Sequence, residues 1–491
     1  MPNGGRERAQ SGPDDAYQVL QDFLRTAKAP ALLEPGEQEF PLLPGNHEVL
    51  LQNGRLTLQV WDRDRNLVRK IIGVASSRTG LLELEVERFG KKIGTLKLLD
   101  TSRPQVRGAT QKGSRQAFRE TFRRMLMRQY PNWEIAELTT EQDLEHSFSP
   151  VYPRAMLTRG PVAWAALACP PEADADAALA FALLWFDYLR QRERKRMVEG
   201  LLLWIPEHRE RNILLRARWL NTLKVRLITL VYSEDGSIVA ADPQDVGNHD
   251  THLPARSSSP QIDRAAVAEI TQVPNVDAIE DLSGVHLRVN GLEFARITDD
   301  GLFATFEERT PQRASVAQLR ALAEELAVRR SSESDRQSPL YTRAPEAWLE
   351  SQVRRHLETI DASLLPSPVY GQVPSFSAAE RGVLDLLAVH RSGRLAVLEL
   401  KASEDIQLPL QALDYWMRVR WHLMNDDLRL KGFFPGVSLR SDSPVLYLVA
   451  PSLEWHPSTD KLLSYLSLEV PVVRIGLGMD WRQELQVVFR M

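Results

Sequence analysis

Asp385, Glu399 and Lys401 are the residues of this chain whose types and spacing could do chemistry together. They interrupt two apolar runs, Val383–His390 and Leu395–Leu400, that flank Arg391-Ser392-Gly393 and read as the strands of a hairpin. A three-residue hairpin loop commonly ends in a left-handed residue, and Gly393 takes that third position without a Cβ penalty. This register sets His390 beside Arg394 and, counting outward, Asp385 beside Glu399. The side-chain period of two then places Lys401 on the face of Glu399 and Leu400 on the other. Ionised carboxylates facing each other in a half-buried sheet are costly unless a cation lies between them. A hard divalent ion, Mg²⁺ or Mn²⁺, takes oxygen ligands, so Asp385, Glu399 and the carbonyl of Leu400 are its expected partial shell. Lys401 would orient or deprotonate a water beside the scissile group. The chemistry this predicts is hydrolysis of a phosphodiester.

Several elements must hold that hairpin. Pro345–Leu357 has proline at its start and Trp348, Leu349, Val353 and Leu357 at helical spacing, which predicts an amphipathic helix. Val369–Phe376 supplies a first strand before the hairpin, and Leu408–Leu423 a helix after it, on which Gln411 and Tyr415, four apart, share a face. Strands at Val445–Ala450, Val472–Ile475 and Glu484–Phe489 complete a mixed sheet. His356 and His390 read as surface histidines. Arg418, Arg420 and Trp421 read either as trackers of a phosphate backbone or as helix surface and core.

Taken in order, the helix glutamate, Asp385, Glu399-Leu400-Lys401 and Gln411-x-x-x-Tyr415 resemble the PD-(D/E)xK nuclease superfamily, in particular its RecB-type branch. The resemblance spans roughly Pro345 to Trp421. It implies a restriction-endonuclease-like mixed sheet flanked by helices. It also implies Glu350, Asp385 and Glu399 as metal-site carboxylates, Lys401 as the catalytic lysine, and Gln411 and Tyr415 as a supporting pair. Leu384 stands where the family motif has proline. Glu346, one turn before Glu350 on the same face, is the alternative helix carboxylate. The expected function is Mg²⁺- or Mn²⁺-dependent cleavage of nucleic acid, with DNA the expected polymer; a catalytically inactive scaffold on the same fold is the rival.

The chain of 491 residues is too long for one ordinary core and predicts an α/β multidomain protein. A hydrophobic fraction of 43% with 26% charged residues excludes wholesale disorder, and a net charge of −4 confines any nucleic-acid contact to local basic patches. The expected order is a disordered tail at 1–14, a β-rich domain with a basic helix at 15–155, and an α/β domain at 156–241. A linker at 242–264, a small α+β unit at 265–330, a second linker at 331–343 and the nuclease-like domain at 344–491 follow. The basic helix, Ser114–Gln129, carries Arg115, Arg119, Arg123 and Arg128, a solvated face or an arginine row for phosphates; Tyr130 and Trp133 beside it read as core caps. The cluster from Arg190 to Arg196 complements a helix dipole. His249, Asp250 and His252 lie in a polar loop with no companion ligands. The front two thirds are expected to bind substrate, a protein partner or a second copy.

A lone cysteine, Cys169, among apolar neighbours suits a reducing cytoplasm, and no stretch reads as an export signal. The longest apolar run, Ala177–Phe186, is about half of the roughly 20 residues a membrane span needs. No phosphate-cradling G-x-x-x-x-G-K-[ST] loop is present, which excludes an ATP-driven motor of that type.

Overall fold

Strict alternation in the first third of the chain dictates a sheet with one apolar face. In the strand Arg55–Trp61, Leu56, Leu58 and Val60 are buried while their neighbours point outward, and Leu82, Leu84, Val86, Leu96 and Leu98 repeat the pattern. A computed structural model describes residues 13–33, 40–43, 45–52, 54–61, 66–88, 92–233, 235–244, 253, 262–281, 283–307, 310–374 and 383–491. For residues 13, 14, 66, 88, 92, 104–112, 372–374 and 383–385 it describes the backbone alone. The protein is a multidomain α/β chain whose described strands form four sheets, of seven, six, five and six strands. It divides into two compact units, Met1–Asp174 with Tyr188–Ile205 and Ala175–Asp187 with Pro206–Met491. Among the described residues no helix is long and apolar enough to cross a membrane.

In the first unit the seven strands pair antiparallel throughout as a half-barrel, from Phe40–Pro41 at one edge to His47–Gln52 at the other. Gln52 pairs with Arg55, and Gly54 just before Arg55 sits at φ +71°. The helix Pro13–Thr26 lays Ala16 and Leu20 into this core. It begins inside the stretch expected to be a tail, because Pro13 at the first helical position has φ already set for a helix and lacks the N–H that a helix start leaves unbonded. The basic helix likewise starts earlier than predicted, at Pro104, and ends at Gln129. Arg119 and Arg123 both pair with Glu120, and Tyr130 stacks edge-on against Trp204. Of the six-stranded sheet, Val162–Ala168 runs parallel to Met197–Pro206 and antiparallel to Arg154–Arg159. The long helix Ala175–Arg192 ends within the Arg190–Arg196 cluster, and Arg192 pairs with Glu137 at 2.6 Å. The polar stretch holding His249, Asp250 and His252 lies outside the described residues.

In the second unit a short helix spans Arg211–Ala217. Five antiparallel strands, from Val276–Asp281 to Gln312–Arg313, carry the helix Val316–Arg329. Ser315 and Gln318 form its reciprocal capping box. Val289 and Leu292 bracket the Asn290-Gly291 turn, whose residues sit at φ +45° and +79°. Arg330 ends that helix fully buried and donates to the carbonyls of Asn290, Leu340, Arg343 and Ala344. The stretch at 331–343 is therefore fastened at both ends, and it holds the short helix Pro339–Thr342.

A charged triad in the five-stranded sheet gives a pH prediction. His286 lies between Asp281 and Glu293, 3.0 Å from each. Hydrogen bonds to Asp281 first and Glu293 second raise its pKa from 6.5 to about 9, against the opposing effect of burial. A raised folded-state pKa means stability fully present below pH 6.5 and lost as pH rises through about 9. Denaturant midpoints should fall between pH 6.5 and 9 in the wild type, and His286→Gln should flatten that slope. An unchanged slope in the variant would refute the assignment.

Candidate active site

The last six strands form one mixed sheet in chain order: Tyr370–Pro374, Val383–Val389, Leu395–Leu400, Val445–Pro451, Val472–Leu477 and Val487–Arg490. The first three form an antiparallel meander, the next two join in parallel, and the last returns antiparallel. The helix Pro345–Arg355 precedes the meander, and the helix Leu408–Met424 lies between its third strand and the first parallel one.

The hairpin has the predicted register. His390 N donates to Arg394 O at 2.8 Å, Gly393 N donates to His390 O at 2.8 Å, and Gly393 has φ +87°. A side chain there would also collide with the Ser438 carbonyl, so glycine is required twice over. Leu386 pairs with Leu398, and the same ladder carried one residue outward sets the Asp385 backbone opposite Glu399. The Asp385 side chain lies outside the description.

The two faces of this sheet are chemically distinct. Leu386, Ala388, Ala396, Leu398 and Leu400 pack with Trp348, Leu349 and Val353 of the helix Pro345–Arg355. Glu399, of opposite parity, is only 2% exposed on the other face. Lys401 follows the last strand residue and is mostly buried, with its ammonium 3.7 Å from Glu346 Oε1 and 3.5 Å from Asp405 Oδ2. On the helix Leu408–Met424, Gln411 Nε2 donates to Tyr415 O–H at 3.4 Å, so the predicted pair does share a face. Asp414 between them takes a bidentate pair from buried Arg216, at 2.8 and 2.6 Å. Arg418 stacks on Tyr415, and Arg420 lies over Trp219 and Trp416.

Glu350 is placed differently from its expected role. Its Oε2 accepts from Arg288 Nη1 at 3.2 Å and its Oε1 from Arg354 Nη2 at 2.7 Å. It stands over Gly371, where a Cβ would lie 2.9 Å from Oε1. Gly371 pairs with Leu386 and so shares its face, the one turned to the helix. Glu350 and Glu399 therefore lie on opposite faces, and Glu346 is the helix carboxylate brought to Lys401. Among the described residues no three His, Cys, Asp or Glu side chains gather as a metal would need, so a complete donor set would have to include Asp385. His390 corrects its expectation too. It is 9% exposed, 2.7 Å from Ser363 Oγ and 3.4 Å from Tyr447 O–H, and burial lowers its pKa. His356 is exposed as predicted.

Asp405, Arg288 and Arg354 were not found from the sequence. Asp405 offered a faint signal, four residues after Lys401; Arg288 offered none, since 62 residues separate it from Glu350. The chain matches no protein-family model, no curated protein and no solved structure.

Proposed function

We propose that the protein is a metal-dependent nuclease acting on DNA in the cytoplasm, with a restriction-endonuclease-like C-terminal fold of the PD-(D/E)xK kind. The observation that carries this reading is a carboxylate at 2% exposure, Glu399, on the third strand of a helix-led meander, with Asp385 at its register position and Lys401 two residues on. A carboxylate buried in a strand of otherwise apolar residues is costly, and a bound cation is one way to offset that cost.

The donors fit a hard ion in kind: Asp385, Glu399 and the Leu400 carbonyl would hold Mg²⁺ or Mn²⁺ through oxygen alone. Such an ion would polarise the phosphoryl group and offset its charge. Lys401, steered by Glu346 and Asp405, presents an ammonium that orients a water or a non-bridging phosphate oxygen. Gln411 and Tyr415 brace the same face from the helix that covers it. The front unit, with its basic helix, serves substrate or partner binding.

Purified full-length protein should cleave at least one of plasmid, linear duplex, single-stranded DNA or RNA with Mn²⁺ and none without it. Asp385→Ala and Lys401→Ala should each lower the rate by about 100-fold or more. Metal-independent cleavage, or undiminished cleavage by both variants, would overturn the mechanism. A wild type that neither cleaves nor binds Mn²⁺ in a calorimetric titration would favour the inactive scaffold.

A further inference from the structure

The helix that carries Glu346 is gripped along its length by the five-stranded sheet. Near its start, Gly291 of the Asn290-Gly291 turn comes so close that a Cβ would collide with the Ala347 carbonyl and stand 2.7 Å from Trp348 N. At mid-helix, Arg288 meets Glu350 with both side chains almost wholly buried. At its end, Arg355 reaches back to Asn275 Oδ1 at 2.8 Å and Asn290 Oδ1 at 2.9 Å. Contacts at three heights leave the helix no freedom to slide or turn. Glu346 is the residue before Ala347, so any such movement would change its 3.7 Å approach to Lys401.

We propose that Arg288 and the Asn290-Gly291 turn are positioning elements of the reaction: the five-stranded sheet sets the helix, through Glu350, so that Glu346 steers Lys401. This rests on the nuclease reading above. A buried ion pair is a weak source of net stability but a firm geometric constraint. Displacement of a catalytic group by about 1 Å can cost about 100-fold in rate. Glu350 keeps Arg354 when Arg288 is removed, so Arg288→Met leaves no orphaned carboxylate. Gly291→Ala pushes directly on the helix backbone.

The test uses the full-length protein with Mn²⁺ and the substrate it cleaves best, and compares Arg288→Met, Arg288→Lys, Gly291→Ala, Glu346→Gln, and Arg288→Met combined with Glu346→Gln. Arg288→Met and Gly291→Ala should each lower kcat about tenfold at unchanged KM, with Arg288→Lys recovering most of the loss. Arg288→Met should cost nothing further once Glu346 is already glutamine. Amide exchange over residues 345–355 should quicken in Arg288→Met. Losses that multiply in the combined variant, or kcat and exchange both unmoved, would overturn the proposal. A wild type without cleavage would sink the nuclease reading by itself, and unchanged exchange in Arg288→Met would then sink the clamp separately.

Discussion

Glu399→Gln should yield a folded protein that has lost cleavage, with kcat/KM down by about 100-fold or more and a melting temperature no lower than the wild type's. Glutamine keeps the shape and removes the charge. At 2% exposure a charge there carries a desolvation cost, so its loss relieves the fold while removing one of the proposed oxygen donors. Mn²⁺ should raise the wild-type melting temperature by preferential binding to the native state, and the variant should lose that rise. Thermal melts with and without Mn²⁺, run beside the cleavage assay, check both halves. Full activity in the variant would remove Glu399 from the mechanism.

The largest stability effect is expected at Arg330. Its guanidinium is wholly buried, 4.6 Å from the Trp348 ring centre, and faces backbone carbonyls rather than a carboxylate. Burial first, then the nearby Arg482 and Arg343 charges, lower its pKa to about 10. Arg330→Met would take a donor from the carbonyls of Asn290, Leu340 and Arg343, while Ala344 O keeps the Trp348 N–H; at about 1–3 kcal/mol for each one left dry, a loss of at least about 3 kcal/mol in urea unfolding is expected. Arg330→Lys should recover only part, because an ammonium cannot span the fork of a guanidinium. A loss under about 1 kcal/mol would mean that water takes the vacated places.

Local chemistry made much of this fold legible. Gly393 fixed the hairpin register, and the proline at position 345 marked the start of the helix Pro345–Arg355, each acting locally. Helical spacing placed Glu346 and Glu350 on one face but could not choose between them. The choice depends on Arg288, supplied by a distant strand, and on which sheet face Gly371 leaves open. His390 followed the same rule: a loop-end position suggested solvent, yet Ser363 and Tyr447 from elsewhere in the chain enclose it. The stretch at 331–343 looked like a tether because its composition is polar. One buried arginine at its border turned it into a closed turn.

The Arg216–Asp414 pair has a consequence for biosynthesis. The partners lie 198 residues apart, and Asp187 waits even longer, 278 residues, for the hydroxyl of Tyr465. At roughly 5–20 residues per second a ribosome needs about 10–40 s to bridge the shorter gap. During that interval the helix bearing Gln411 and Tyr415 does not yet exist, so the candidate site stays unassembled while most of the chain is already made. On the proposed nuclease reading, a nascent chain would be unable to cut nucleic acid before that helix has been made.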